Sequence, residues 1–314
     1  MNIFLQATFE GLSLGAVYSL VAIGFVLIFR ATDVLSFAQP AMVVVGAGFI
    51  SYFATQIGIP FIFAFIIGII LTGLLGFVLE RTFLRPMVGE PVFSVAVLTI
   101  GIDILLRVVL DNWIGINPKY MGDPFPSYGN FGSLNIGGLT VKYLEVTALI
   151  TSLILIFILS VFFKRSKYGV AMRATSLDQE AALAQGINVG RVFGLVWFIA
   201  GLLAAFAGFF ITGGFNTLTN TSFISALRAL PAVVIGGLDS ITGAIIGSLI
   251  IGLTQAYVGY YQFDIESAYN IKLGNGFSIV APYLIMFVIL LVKPHGLFGT
   301  CLLYTSDAAD EYSG

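Results

Sequence analysis

The chain has 314 residues, 58% hydrophobic and only 10% charged, with a mean hydropathy of +1.02 and a formal net charge of −2. Soluble domains carry about 25% charged residues, so a water-soluble globular protein is excluded, as is a nucleic-acid binder, which needs a clustered basic face. The composition fits an all-α polytopic membrane protein, because several apolar runs approach the roughly 20 residues that cross a bilayer core.

Met1 to Glu10 holds no Lys or Arg and so lacks the basic start of a cleavable signal peptide, and the first apolar run is expected to remain as a helix. Windowed hydropathy places spans near 11–29, 36–55, 60–79, 92–110, 144–163, 192–212, 220–238, 241–261 and 277–293, giving eight or nine crossings. The second span carries Gln39-Pro40, Gly46 and Gly48, and the seventh carries Pro231 and Gly236-Gly237. Both are expected to be broken helices or re-entrant segments, at corresponding positions of two loosely related halves. Unwound backbone is tolerated in a membrane only where it lines a cavity or is buried in protein. Ser36, Gln39, Pro40, Arg228, Pro231, Gly236 and Gly237 are therefore the candidate translocation-path residues. The competing reading is that Gly and Pro merely permit close helix packing.

Asp103, Arg107 and Asp111, spaced i, i+4, i+8, read as a structural ion-pair ladder on one helix face. The segment 111–143 is rich in Gly, Pro, Asn and aromatics, which predicts an external cap of turns and short strands. Segment 164–191 is the most informative hydrophilic stretch and the longest segment expected on the cytoplasmic side. In it Ser176 is placed to cap a short helix, Asp178 to Gln185 to form it and Gly186 to stop it. Such a helix on the membrane face suits a groove on a soluble partner, but a solvated connector fits the composition as well. The GxxxG pairs Gly11/Gly15 and Gly243/Gly247 suit close contacts inside one subunit or across a dimer.

With the start of the chain outside and nine spans, one face holds Arg30, Arg81, Arg85, Lys164, Arg165, Lys167, Arg173, Arg191 and Lys293. The other holds only Lys119, Lys142 and Lys272, so the 164–191 loop is expected on the cytoplasmic side. His295 stands without a second His, Cys or acidic cluster, so neither a metal site nor a catalytic centre is expected. The last residues, CLLYTSDAADEYSG, break from what precedes them and resemble a reading frame of a sequencing-library adapter. Residues 300–314 are read as a non-native tail after a permease domain at 1–299. That tail holds the one cysteine, Cys301, and three of the sixteen acids; the thirteen that remain face fourteen bases, a balance of +1.

Glu180-Ala181-Ala182, three residues, then Gly186 resembles the coupling-loop motif of ABC importer permeases. Leu35 to Ala47 (LSFAQPAMVVVGA), Tyr168 to Ile187, Leu227 to Leu253 and the KPHGLFG run from Lys293 narrow the likeness. Together they are similar to the branched-chain amino acid ABC transporter permease family over nearly all of 1–299. Pro40 departs from the pattern, where a small residue such as Gly is expected after the Ala-Gln pair. The resemblance implies a non-enzymatic pore subunit in a prokaryotic plasma membrane. Its partners would be a second, similar permease, two cytoplasmic ATPases and an external binding protein. Arg173, Glu180, Ala181, Ala182 and Gly186 would meet the ATPase. The chain has no GxxxxGK[ST] phosphate loop, so it is expected to hold no cofactor, the ATP being bound by the partner subunits. The same machine carrying urea, short amides or other amino acids is the near alternative, and a secondary transporter or channel the more distant one.

Overall fold

The computed structural model describes residues 2–87, 90–115, 119–122, 132–136, 139–177, 179–213, 217–219, 222–270, 272, 274 and 276–299. The helices in chain order are α1 (Asn2–Thr32), α2 (Gln39–Ser51), α3 (Phe61–Leu79), α4 (Val92–Ile114), α5 (Tyr143–Arg165), α6 (Lys167–Leu177) and α7 (Gln179–Ala184). They continue as α8 (Val189–Gly213), α9 (Ser222–Leu227), α10 (Ala229–Gly236), α11 (Ile241–Tyr269) and α12 (Phe277–Val292). Among the described residues six helical stretches are long and apolar enough to cross a membrane: Ile3–Thr32, Phe61–Met87, Val92–Trp113, Tyr143–Arg165, Val189–Gly213 and Ile241–Ala268. The chain is thus an all-α polytopic membrane protein, with Ser222–Gly236 and Phe277–Val292 as shorter apolar helices.

Local chemistry sets the helix ends. Pro60 and Pro91 stand just before α3 and α4 in extended backbone, and the Ser240 hydroxyl caps α11 by accepting from the Gly243 amide at 3.0 Å. Pro40 falls in the first turn of α2, where a missing N–H costs nothing, so it opens that helix and does not break it. The irregularity of the second span lies instead before Gln39 and in the π-helical turn Tyr52–Gln56. The seventh span is broken as expected, but at Arg228 between α9 and α10; Pro231 sits harmlessly in the first turn of α10.

Burial separates a centre from a rim. The most apolar windows of α1 and α8 are 83% and 78% buried, against 22% for α4 and 11% for α5. Around this centre the packing repeats: α1 lies against α10 and α11 as α8 lies against α2 and α3, while α4 flanks α2 and α12 flanks α10. Glycines make these approaches possible, since helix association in lipid depends on close backbone contact. A Cβ at Gly11 or Gly15 would lie 2.8 or 2.9 Å from the Cα of Leu253 or Leu249 in α11, and one at Gly243 or Gly247 would strike the carbonyls of Gly236 and Ala232. Both GxxxG pairs therefore serve contacts inside the chain.

One end of the bundle carries the short strands. β1 (Lys119–Tyr120) pairs antiparallel with β4 (Thr217–Leu218), and β2 (Ser133–Ile136) with β3 (Leu139–Lys142). The Ser51 hydroxyl bonds the Tyr120 carbonyl at 2.7 Å, tying the cap to α2. The cap expected at 111–143 thus has its short strands, although 116–118, 123–131 and 137–138 lie outside the described residues, as do Cys301 and the rest of 300–314. The opposite end gathers Arg30, Lys164, Arg173, Asp239 and Phe298 around one cavity.

Candidate functional site

The first interruption follows α1. Asp33 adopts a left-handed conformation (φ 54°) and its amide closes the last helical turn on the Phe29 carbonyl at 2.7 Å. The chain then runs inward without helical structure, with Val34, Ser36 and Ala38 buried, until α2 starts at the fully buried Gln39. Gln39 Nε2 donates to the Ala200 carbonyl at 3.2 Å, and a Cβ at Gly24 would lie 2.2 Å from that nitrogen. Gly24 stands eight residues before the end of α1 and Ala200 eleven residues into α8. The amino end of α2 thus lies roughly 12–16 Å from those helix ends, well inside the bundle. Ser36 Oγ and Gln39 Oε1 are buried there without a hydrogen-bond partner among the described residues.

From α4, Thr99 Oγ1 accepts the Phe37 amide at 3.0 Å, and the Asp103 carboxylate faces the amide end of α2 near Ala41, where the helix dipole favours an anion. Arg107 pairs with Asp103 and lays its guanidinium 4.2 Å over the Phe223 ring of α9. The expected ladder is therefore realised between Asp103 and Arg107, and it ties α4 to both interrupted segments.

The second interruption is centred on Arg228. Its guanidinium meets the Tyr18 hydroxyl of α1 and faces Tyr283 of α12; Tyr18 itself donates to Gln255 Oε1 at 2.9 Å. Tyr18 and Gln255 lie near the middle of α1 and α11, so the cation sits at mid-depth. Among the described residues Arg228 forms no salt bridge, and its Nε is buried without a partner. Gly236 and Gly237 lie at the far end of α10 and serve its packing. A Cβ on Gly236 would lie 2.3 Å from the Gly243 carbonyl carbon, and Gly237 (φ 99°) abuts Gly299. The Leu297 and Phe298 amides then cap α10 on the Ile235 and Gly236 carbonyls at 2.7 and 3.1 Å.

Residues 164–191 hold two helices, not one. Ser176 lies within α6 and donates to the Arg173 carbonyl at 3.0 Å, so it caps no helix start. Asp178 and the Glu180 side chain lie outside the described residues, but the end of α7 is clear. The Gly186 amide bonds the Leu183 carbonyl at 2.9 Å and the Ile187 amide the Ala182 carbonyl at 3.0 Å, with Gly186 at φ 80°. This Schellman closure needs a left-handed residue at 186. Ala182 is buried and Ala181 exposed, while Leu177, the last residue of α6, is 86% exposed. Arg173 reaches back to the Phe163 carbonyl, holding α6 under the end of α5.

A clamp that pattern reading passed over sits beside this segment. Arg85 donates to both oxygens of the buried Glu80, at 3.1 and 3.0 Å, and to the Gly190 carbonyl at 2.6 Å, joining the end of α3 to the start of α8. Gly24, Tyr18, Gln255 and Tyr283 were equally unmarked, because their partners are remote in sequence.

Over residues 7–292 the chain matches the family described as branched-chain amino acid transport system / permease component. It is 26% identical over 306 residues to the high-affinity branched-chain amino acid transport system permease protein BraD of Pseudomonas aeruginosa, covering 94% of this chain and 96% of that protein. It is 28% identical over 312 residues to the corresponding protein LivH of Escherichia coli K12, with the same coverage. Against the probable branched-chain amino acid transport permease protein LivH of Methanocaldococcus jannaschii it is 26% identical, covering 89% and 88%. With nearly the whole bundle inside the match, the chain belongs to the family of branched-chain amino acid transport permease components.

Proposed function

We propose that this chain is the pore subunit of an ABC importer that carries leucine, isoleucine and valine across a prokaryotic inner membrane. A second permease, two cytoplasmic ATPases and an external binding protein complete the machine, and ATP is hydrolysed outside this chain. The observation that carries the reading is the family match from 7 to 292. Nine crossings, with α2 and the α9–α10 pair counted, put α6 and α7 on the cytoplasmic side.

The two interruptions are the path. Ser36, Gln39 and Pro40 open one, with buried acceptors suited to an ammonium group; Arg228, just before Pro231, offers a cation to a carboxylate. Gly236 and Gly237 serve at one remove, holding α10 in place. Tyr18 and Gly24 stand six residues apart on α1, roughly 9 Å along its axis. That exceeds the spacing of the two charges of an amino acid, so a solute meets the two groups in succession. The apolar tip at Leu177, with Arg173, Glu180, Ala181, Ala182 and Gly186, docks on the ATPase. Its displacement reaches α5 through Arg173 and α3 and α8 through Arg85.

Uptake of labelled leucine into vesicles holding the complete transporter tests this. Arg228→Gln removes a charged hydrogen bond to the solute, which should raise the half-saturating concentration about tenfold at equal expression. Unchanged leucine uptake in that variant removes the path assignment, and uptake of urea or an amide in place of leucine removes the substrate.

A further inference from the structure

The cavity at the basic end of the bundle is lined by none of the residues assigned to the path. It measures about 460 Å³ and lies between α5 and α11 on the flank of α1, with α6 folded beneath it. Its upper wall is apolar: Ile23 and Leu27 from α1, Ile156 and Leu159 from α5. Ile23 and Ile156 each lie nine residues from the end of their helix, so the wall rises roughly 13 Å above the helix ends. Among the described residues its mouth carries Arg30, Lys164 and Arg173 against a single carboxylate, Asp239. Arg30 and Lys164 are exposed and have no salt bridge among the described residues. Lys164 stands in the last turn of the lipid-facing helix α5, whose Phe157, Ile158 and Val161 are exposed just above it.

We propose that this cavity is a binding site for one anionic phospholipid of the cytoplasmic leaflet, its phosphate held by Arg30, Lys164 and Arg173 and an acyl chain laid along Ile23, Leu27, Ile156 and Leu159. The leaflet assignment rests on the orientation given above; the site itself does not. Each half of the cavity argues for the same occupant. An exposed cluster of cations with so little acid attracts a phosphate, and basic pockets between transmembrane helices are where lipid headgroups bind. A soluble partner could reach the cations but would leave an apolar wall this deep empty, whereas an acyl chain fills it. The site also touches the coupling segment, because Gly169, Met172 and Arg173 of α6 line it. Bound lipid would hold α6 against α1 and α5.

The test is native mass spectrometry of the purified full-length chain, titrated with phosphatidylglycerol or phosphatidylcholine in detergent. Wild type should retain phosphatidylglycerol in preference, and Arg30→Gln with Lys164→Gln should weaken that retention on the order of 30-fold. Lys119→Gln with Lys142→Gln, at the other end of the bundle, should leave it unchanged. Ile156→Trp alters no charge and fills the wall, so it should reduce retention as well; glycerol phosphate, the headgroup without chains, should not compete. Equal retention of both lipids, or of phosphatidylglycerol by the Arg30/Lys164 variant, overturns the proposal. Full competition by glycerol phosphate makes the site one for a free anion and overturns it too. If lipid is displaced whenever the ATPase binds, and the Arg30/Lys164 variant fails to bind ATPase, the cations serve the protein partner and the lipid assignment falls.

Discussion

At the scale of single residues, two glycines in the same core respond differently to the same added methyl group. A Cβ at Gly208 would lie 2.1 Å from the Val43 carbonyl oxygen, which is backbone of α2 and cannot step aside. Gly208→Ala should therefore force α2 and α8 apart, at a cost of about 1–3 kcal/mol, seen as a lower thermal midpoint in detergent. At Gly24 the obstacle is the end of a flexible side chain, Gln39 Nε2. Gly24→Ala should instead displace the amide from the Ala200 carbonyl, leaving the fold intact but impairing uptake, and Gln39→Ala in that background should restore the packing without the uptake. Equal thermal losses for the two alanines would show that α2 is as yielding as a side chain. Neither contact was legible beforehand: Gln39 was marked by its place beside Pro40, but Gly24 and Ala200 meet it only through folding, 161 residues separating Gln39 from its acceptor.

At the scale of elements, local chemistry was readable where one residue decides. Gly186 was expected to stop a helix and does so, because the positive φ that closes α7 suits glycine best. Ser176 was misplaced: as a helix start it competes with the favourable run Lys167–Leu177, and its hydroxyl is satisfied one turn back inside α6. In sequence Pro40 reads as a break, because a proline in an apolar window looks the same at a helix start as within the helix. Since no described residue lies within 4 Å of a Cβ at Gly186, substitution there acts through backbone conformation. Gly186→Asn, which tolerates the left-handed region, should keep ATP hydrolysis and uptake coupled. Gly186→Val, costing about 1–2 kcal/mol, should open the Schellman closure and raise the ATP consumed per leucine. The ratio of hydrolysis to uptake in reconstituted vesicles checks this, and equal ratios for Asn and Val would remove the closure from the coupling mechanism.

At the scale of the whole molecule, the apolar runs gave the class, but a hydropathy window cannot say whether a short segment crosses or turns back. Ser222–Gly236 spans about 22 Å as a helix, less than the roughly 30 Å hydrocarbon core. Its neighbours support the crossing that we propose. β4, just before it, pairs with β1 at the capped end, Arg228 lies at mid-depth, and Asp239, just after it, shares a cavity with Arg30 and Lys164 at the other end. Phe298, beyond α12, lines that same cavity, so α12 also runs from one end to the other. Nine crossings then put Gln6 and Lys293 on opposite faces, whereas a re-entrant seventh or ninth segment puts them on the same one. Single cysteines at Gln6, Lys167, Lys272 and Lys293, in a Cys301→Ser background, should divide two and two under a membrane-impermeant thiol reagent. In right-side-out vesicles Gln6→Cys and Lys272→Cys should react at once, and Lys167→Cys and Lys293→Cys only after permeabilisation. Prompt reaction at Lys293→Cys as well as Gln6→Cys would reduce the count to eight, with Lys272→Cys still prompt if the ninth segment turns back and protected if the seventh does; prompt reaction at Lys167→Cys would turn the coupling segment away from any cytoplasmic motor.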